Sequence, residues 1–443
     1  MRTLLVINAS HNPAARAPSA AGATPRKDYL ELQQSLDADL IDNTSVKESS
    51  GARHVRRLLG RAPAQALLAW SRALNYDVIF VDGEAVGFLL AALLSLGPRR
   101  VRLVMIGHRL SAPKKQILYR GLALGRRIDG MIVHSSLQQR VAVHTLGLSP
   151  DRVSLVPYQT DQHFWSDAAQ SADDAVHADA QADTLGVIPA AAMICSVGLE
   201  YHDYDTLIAA LAYLPRDSSP AVVIAAASHW SAHGGIEETR PLPPGVRVGS
   251  FDYAELRALY ARARFVVVPL EDVDNQAGIT TILEAMSMGK AVIVSHARGQ
   301  TDVVRDRRAR SRRDQGRPTQ PDWARRLVSS PDERAFVSGH TGIYVTPGDP
   351  VELAHAITFL LTHPDQAALM GRQGRALVER AMGLDHFTRR VTDIVRAAAY
   401  EERASSASEA ASRWSTPASA PTPTPGRLSR FFSGFIASRQ GAR

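Results

Sequence analysis

Short apolar runs alternate with longer segments in which apolar residues recur at helical spacing. The pattern predicts helices at 204–214, 253–262 and 280–289, and a buried helix at 86–96. Between such segments it predicts strands at 4–7, 78–81, 101–106, 131–133, 153–156, 193–197, 221–226, 246–248, 265–269, 291–295 and 342–345. Regular alternation of strand and helix is typical of parallel α/β architecture, so we expect an α/β fold class.

The alternation stops once, at 167–184, where Ala, Asp, Gln and Ser dominate, with five Asp and no Lys or Arg. Such a stretch buries little surface, so it predicts a linker or surface insertion between two α/β halves. We expect an N-terminal domain at 1–165 completed by a helix at 385–400, a linker at 166–189, a C-terminal domain at 190–384 and a tail at 401–443. Two open parallel sheets facing each other would form a ligand cleft at their carboxyl edges.

The net charge of +7 is concentrated in two segments. Residues 305–326 hold nine Arg against three Asp, and 401–443 hold six Arg against three Glu, so the rest of the chain is close to neutral. A nucleic-acid-binding protein needs a continuous basic face, so we expect no nucleic-acid partner. The Arg-rich segment predicts a solvated loop insertion.

The tail is rich in Ser, Ala, Thr and Pro and is expected to be disordered. Near its end, apolar residues could share one side of a short basic helix, giving peripheral membrane contact, and a disordered tail remains the alternative. The apolar helix residues are Phe431, Phe432, Phe435 and Ile436.

The single cysteine, Cys195, lies in an apolar run and is expected to be buried. One cysteine allows no intrachain disulfide, which fits a reducing, cytoplasmic location. No export signal or membrane span is predicted, because the longest apolar stretch is about half of the roughly 20 residues that a span needs.

The stretch from Phe265 to Ser295 carries the clearest chemistry. A buried strand is followed by a polar loop that delivers Gly278, Ile279 and Thr280 to a helix start. Free amides and the positive end of the helix dipole there suit a diphosphate. Glu284, one turn later, could accept two hydrogen bonds from vicinal hydroxyls such as those of a ribose. The alternative is an ordinary strand–loop–helix unit.

This stretch resembles the E-x7-E region of family 4 glycosyltransferases, which have the two-lobed GT-B fold. The match covers Glu284, Ala285, Met286, Gly289, Val292 and Ile293. The resemblance implies two Rossmann-like domains across a cleft and sugar transfer from a nucleotide diphosphate-sugar with retention. By position, Glu284 would hold the donor ribose. Gln276 stands where the family has its first Glu, which contacts the donor sugar, so Gln276 is a candidate catalytic residue.

Further segments resemble the same family in order and spacing. They add Gly249 in the base-binding loop, and Gly198 and His202 in the loop whose Arg and Lys flank the diphosphate in the family. Leu199 replaces that Arg, so His202, if protonated, or Arg298 would supply positive charge.

In the N-terminal half, His108 resembles the family's cleft histidine and is the second candidate catalytic residue. It would orient the transferred sugar, or be an ordinary histidine satisfied at a strand end. Arg26, Lys27 and Glu84 are the candidates for the acceptor side. The acceptor is unknown, whether glycan, lipid or small molecule.

Asp272 and Asp274 spell D-x-D, a metal–nucleotide motif in another glycosyltransferase architecture. In a chain with two α/β halves we interpret them as loop acids and expect no cofactor and no essential metal. Two alternatives to a transferase stay open. One is a nucleotide-sugar 2-epimerase-like enzyme, and the other is a binding subunit that kept the fold without activity.

Overall fold

A computed structural model describes residues 1–10, 19, 22–97, 101–166, 193–215, 220–227, 242–306 and 339–414. The predicted linker from 167 to 189, nearly all of the Arg-rich segment, and the tail beyond 414 lie outside the described residues. So does the amphipathic segment predicted near the end of the chain.

The first lobe is built on a parallel sheet with strand order β2-β1-β3-β4-β5-β6. Its strands are β1 (Thr3–Ile7), β2 (Ala38–Ile41), β3 (Val78–Asp82), β4 (Arg102–Gly107), β5 (Gly130–Val133) and β6 (Val153–Leu155). Its helices are α1 (Asp28–Leu36), α2 (Asn43–Glu48), α3 (Ser50–Leu59), α4 (Arg61–Arg72), α5 (Glu84–Leu94), α6 (Pro113–Gly121) and α7 (Ser136–Arg140).

The second lobe repeats this plan with strand order β12-β11-β10-β7-β8-β9, again parallel. Its strands are β7 (Met193–Val197), β8 (Ala221–Ala227), β9 (Val246–Ser250), β10 (Phe265–Val268), β11 (Ala291–Ser295) and β12 (Gly342–Val345). Its helices are α8 (Tyr204–Leu211), α9 (Tyr253–Arg262), α10 (Ile279–Ser287), α11 (Pro350–Thr362) and α12 (Pro364–Leu377). The α/β class is therefore confirmed.

The strands are buried on both faces, as expected for parallel sheets covered by helices. Cys195 lies inside β7 and is fully buried, as predicted. The last helix, α13 (Leu384–Trp414), starts beside the second lobe but packs into the core of the first. Leu384, Phe387, Val391 and Val395 share a cluster there with the residues of β1 and β4.

One strand differs from the sequence prediction. Strand β2 was not predicted, because it is short, lies at a sheet edge and carries the exposed Asp39. Helix α13 extends to Trp414. Among the described residues, no helix has the length and apolar character needed to cross a membrane.

Candidate active site

Helix α10 begins at Gly278, whose φ of +67° reverses the chain between β10 and the helix. Glycine adopts this left-handed conformation readily, and an added Cβ would lie 2.7 Å from the Val268 side chain. No described side chain caps this helix start, and Thr280 is exposed there. The hydroxyl of Thr281 donates to the Val197 carbonyl at 2.9 Å, which fixes the first turn against β7. The helix start that the sequence predicts near Thr280 is therefore present and has no side-chain cap.

Glu284 lies one turn into α10, with its carboxylate held by a tyrosine from α9. The Tyr260 hydroxyl donates to Glu284 Oε2 at 3.0 Å, and Tyr260 itself is fully buried. Burial raises the pKa of Glu284 to about 7, against the hydrogen bond from Tyr260 and the charge of Lys27. The sequence analysis did not assign a role to Tyr260, which lies near the end of α9.

The loop before α10 carries the D-x-D residues and Gln276. Asp274 pairs with Arg109 of the first lobe at 2.8 Å, and Asp272 pairs with Arg298 at 3.3 Å. Both loop carboxylates therefore face arginines. The amide nitrogen of Gln276 is buried without a hydrogen-bond partner among the described residues. This donor is left for a bound molecule to satisfy.

His202 does not supply the positive charge that the sequence led us to expect. Its ring lies over Gly198, so closely that a Cβ on this glycine would be 2.1 Å from the imidazole. Burial lowers the pKa of His202, although its Nδ1 meets the Glu200 carbonyl at 3.1 Å. The imidazole is therefore neutral near pH 7. Gly198 also has a φ of +137°, a conformation that glycine adopts readily, so both its backbone and the nearby ring favour glycine here.

Arg298 keeps its charge but shares it with Asp272. Its guanidinium is 69 % exposed and also donates to the Asp272 carbonyl at 3.0 Å. Gly249 lies near the carboxyl end of β9, where an added Cβ would lie 3.0 Å from the ring of Phe251. Neither residue is in a recorded contact with Glu284.

His108 follows β4 and meets Asp82 at the end of β3, with 3.3 Å between His108 Nε2 and the carboxylate. Burial opposes protonation, yet Asp82, Glu84 and Asp28 together raise the pKa of His108. The ring of His134 lies 5.4 Å from that of His108. Burial lowers the pKa of His134 to about 4, so this second histidine is neutral.

Asp28 and Tyr158 complete this cluster, and sequence reasoning missed both, together with Asp82. Burial and the charge of Asp82 raise the pKa of Asp28 to about 6. The carboxylate accepts a hydrogen bond from the Gln159 amide at 2.9 Å. Burial and the charges of Asp28, Asp82 and Glu284 raise the pKa of Tyr158. Tyr158 therefore lies within electrostatic reach of acids from both lobes.

Two of the three predicted acceptor residues have structural partners instead. The guanidinium of Arg26 binds Asp161 at 2.9 Å and Asp385 at 2.8 Å, linking the first loop to the interlobe segment and α13. Glu84 is buried and accepts from the backbone N–H groups of His108 and Arg109, at 3.0 and 3.1 Å.

Glu84 also forms an ion pair with Lys115. Burial opposes its ionisation, but this pair and the backbone donors lower the pKa of Glu84. Glu84 therefore positions the His108 loop rather than facing an acceptor.

Lys27 extends from the first lobe towards the second. Its Nζ lies 3.1 Å from the Tyr253 hydroxyl and 4.8 Å from the centre of that ring. Ser136 of the first lobe donates to Asp302 of the second through its backbone and side chain, at 2.6 and 2.8 Å. With the Arg109–Asp274 pair, these contacts bring the carboxyl edges of the two sheets together around a cleft.

Comparisons with known proteins agree with this geometry. Residues 189–320 match the family described as glycosyl transferases group 1. The chain has the two-lobed GT-B fold. HepE of Anabaena, solved in complex with UDP-glucose, superposes with a TM-score of 0.59 at 17 % identity, covering 89 % of this chain and 99 % of HepE.

A glycosyltransferase from Rickettsia africae gives a TM-score of 0.60 at 12 % identity, over 90 % and 98 % of the two chains. Sucrose-phosphate synthase from Thermosynechococcus elongatus gives 0.56 at 16 %, over 89 % and 98 %. No curated protein matches the sequence significantly. The predicted GT-B fold is thus confirmed, and membership of family 4 stays a prediction.

Proposed function

We propose that the chain transfers a sugar from a nucleotide diphosphate-sugar to a hydroxyl of an acceptor, with retention of anomeric configuration. The observation that carries this proposal is the open start of α10, followed one turn later by Glu284 held by Tyr260. A family match that includes this helix, and a structural relative solved in complex with UDP-glucose, support the donor class.

The donor would bind with its ribose hydroxyls on Glu284 and its diphosphate at the amides of Ile279 and Thr280. Helix dipoles stabilise anions at such ends, and their effect grows as the leaving diphosphate gains charge. Because His202 is neutral, the start of α10 would contribute more to stabilising the diphosphate than it does in family members that have Arg and Lys in the neighbouring loop. Lys27 of the opposite lobe interacts electrostatically with Glu284 and would add positive charge on that side of the donor.

The acceptor would enter from the first lobe, beside Asp82, Asp28 and His108. Carboxylates accept hydrogen bonds from hydroxyls, and a histidine with raised pKa can donate one to the transferred sugar. Lys27 remains the candidate acceptor-side cation among the residues predicted from the sequence. An uncharged hydroxylated acceptor fits this acidic surface better than a phosphorylated one.

Front-face attack by the acceptor is the mechanism we favour. Gln276 stands at the position nearest in the family pattern to the donor sugar, and an amide does not form a covalent glycosyl ester as a carboxylate does. The bond to the leaving diphosphate would break as the acceptor oxygen approaches from the same face. We also propose that no metal is essential, because Asp272 and Asp274 face Arg298 and Arg109. The cytoplasmic location stays a prediction.

Calorimetric titration with UDP, GDP, ADP and TDP tests the donor site. We expect one nucleotide to bind, and Glu284→Ala to weaken it by about 100-fold, the worth of two hydrogen bonds to a charged group. Glu48→Ala, which removes an exposed carboxylate from α2, is the matched control and should bind normally. Equal affinity in the Glu284 variant would remove the ribose assignment.

Product analysis separates transfer from its rivals. Incubation of the matching nucleotide-sugar with a panel of hydroxylated acceptors should release the nucleotide and form a glycoside of unchanged anomeric configuration. An epimerised nucleotide-sugar formed without acceptor would contradict the proposal in favour of an epimerase. An inverted product would contradict the retaining mechanism alone.

A further inference from the structure

The first lobe carries a second pocket, far from the cleft. It has a volume of about 700 Å³ and lies among the end of α6, the turn Leu124–Arg126 and the loop that leads into β6. These last two segments precede β5 and β6, whereas His108 and His134 follow β4 and β5. The pocket therefore opens at the amino edge of the sheet, about 13 Å from the carboxyl edge for a strand of this length.

Three arginines line the pocket: Arg120, Arg126 and Arg152. Arg120 donates to the Thr145 carbonyl at 2.6 Å, and Arg152 to the Ile128 carbonyl at 3.4 Å, so neutral acceptors orient both side chains. Within the described part of the chain, no carboxylate forms a recorded ion pair with any of the three. The neighbouring Asp151 is exposed, accepts a hydrogen bond from the Ser149 hydroxyl and interacts electrostatically with Arg152, so it offsets at most one of the three positive charges. The pocket is therefore positively charged.

Tyr119 adds a buried donor at the same place. Its side chain is 3 % exposed, and its hydroxyl has no hydrogen-bond partner among the described residues. The hydroxyl lies over Gly125, where an added Cβ would be 2.4 Å away. Both residues line the pocket. Because a buried hydroxyl without a partner costs free energy, an acceptor oxygen from a ligand would be favoured here.

Three large apolar side chains on α6 and just after it are exposed next to residues that line the pocket. Ile117, Leu118 and Leu122 are 73, 37 and 50 % exposed, and Leu122 precedes the lining residue Ala123. Exposed apolar residues beside arginines match the two layers of a membrane surface, with phosphates above and acyl chains below. A free phosphorylated metabolite would leave these apolar side chains exposed to water.

We propose that this pocket binds the phosphate headgroup of an anionic phospholipid, while Ile117, Leu118 and Leu122 enter the interface. The arginines and the Tyr119 hydroxyl would donate to the phosphate oxygens. Since the pocket and the cleft lie at opposite edges of one sheet, the bound protein would keep its cleft open to the aqueous phase.

Sedimentation of the full chain with vesicles tests the proposal. Phosphatidylcholine vesicles with phosphatidylglycerol should bind the wild type more tightly than phosphatidylcholine alone. Arg126→Ala should weaken this binding about fivefold, the typical contribution of one arginine at an anionic surface. Arg372→Ala, which removes an exposed arginine from α12 in the other lobe, is the matched control. Equal affinities for the two variants would overturn the proposal, because binding would then follow net charge.

Two further variants separate the parts of the site. Tyr119→Phe removes only the unpartnered hydroxyl and should also weaken vesicle binding while leaving Tm unchanged. The double variant Ile117→Ser, Leu122→Ser should weaken vesicle binding but not affinity for inorganic phosphate. If the protein bound inorganic phosphate and the Ile117 and Leu122 changes left vesicle binding unaffected, the proposal that the phosphate belongs to a lipid would be overturned. Circular dichroism and nucleotide binding, unchanged in every variant, show that the fold and cleft are intact.

Discussion

Among single residues, Glu284 is half-buried and accepts one hydrogen bond from Tyr260. Burial raises its pKa to about 7 from an ordinary 4.5, so the carboxyl is protonated below pH 7 and ionised above it. The ionised form accepts both ribose hydroxyls. We therefore expect nucleotide affinity to increase as pH rises from 6 to 8. Below the pKa of Glu284 the increase should approach about tenfold per pH unit, and calorimetric titration measures it.

Glu284→Gln is the control for this titration. It should bind nucleotide more weakly and with little pH dependence across the same range. The same pKa has a consequence for stability, because the folded state keeps a proton that the unfolded state loses between pH 4.5 and 7. This contribution to the free energy of unfolding is lost as pH rises through 7. A wild-type affinity profile as flat as that of the variant would contradict the assignment.

Tyr260→Phe isolates the partner of Glu284. Removing the hydroxyl leaves a buried carboxyl without its donor, so we expect the pH midpoint of nucleotide binding to move upward. Nucleotide affinity at pH 7 should fall by about three- to tenfold. This is the contribution expected of one hydrogen bond to a carboxylate that is only partly ionised at that pH. Tyr213→Phe changes an exposed tyrosine after α8 and should have no effect. An unchanged midpoint in the Tyr260 variant would show that the hydroxyl does not position the carboxylate.

Glu284 was predicted from its place one turn after a helix start, and Gln276 from the resemblance to family 4 glycosyltransferases. The sequence did not identify Tyr260 or Asp82, since their partners lie 24 and 26 residues away and depend on which strands are neighbours. Glu84 and Arg26 were expected at an acceptor and instead hold loops and α13 in place. A charge in a loop does not reveal its partner until the chain is folded.

At the scale of elements, α10 has left-handed glycines at both ends. Gly278 has a φ of +67° with Val268 2.7 Å from an added Cβ, whereas Gly289 has a φ of +68° with open space. Gly289→Ala should cost about 1 kcal/mol of unfolding free energy from backbone strain alone. Gly278→Ala adds a clash and should cost about 2–4 kcal/mol.

The two glycine variants also separate stability from donor binding. Because Gly278 sets the direction of the first amides, its variant should lose nucleotide affinity at a temperature where it is still folded. Gly289→Ala should keep the affinity of the wild type. Equal losses of affinity in the two variants would mean that the helix start does not face the donor. Thermal denaturation and calorimetry on the same samples provide both measurements.

Elements in the middle of the sheets were predictable, because their apolar runs are buried on both faces and end at Gly or Pro. Strand β2 was not, since its residues Asp39 and Leu40 are less buried and its pairing with β1 alone makes it a strand. The two-lobe plan followed from the alternation of strand and helix. The direction in which each lobe faces the other did not, because it depends on single polar contacts across the cleft.

At the scale of the whole molecule, the Arg109–Asp274 pair joins the His108 loop to the loop before α10. Its side chains are 41 and 25 % exposed, so the pair should contribute no more than about 1 kcal/mol. This is enough to shift a balance between open and closed lobes. We expect Arg109→Gln and Asp274→Asn each to raise KM for the donor by about three- to fivefold, and to raise the radius of gyration of the free protein in X-ray scattering.

A charge reversal and a matched pair make this prediction specific. The double variant Arg109→Asp, Asp274→Arg restores the ion pair in reverse and should recover KM. Arg375 and Glu379 form a pair of the same length, 2.8 Å, within the second lobe. Arg375 also donates to the Ser287 carbonyl of α10 at 3.2 Å, so Glu379→Gln is the variant that breaks only the ion pair, and it should leave KM and scattering unchanged. If it raised KM as much as Arg109→Gln does, the effect would come from stability, and lobe closure would have to depend on Lys27–Tyr253 and Ser136–Asp302 instead.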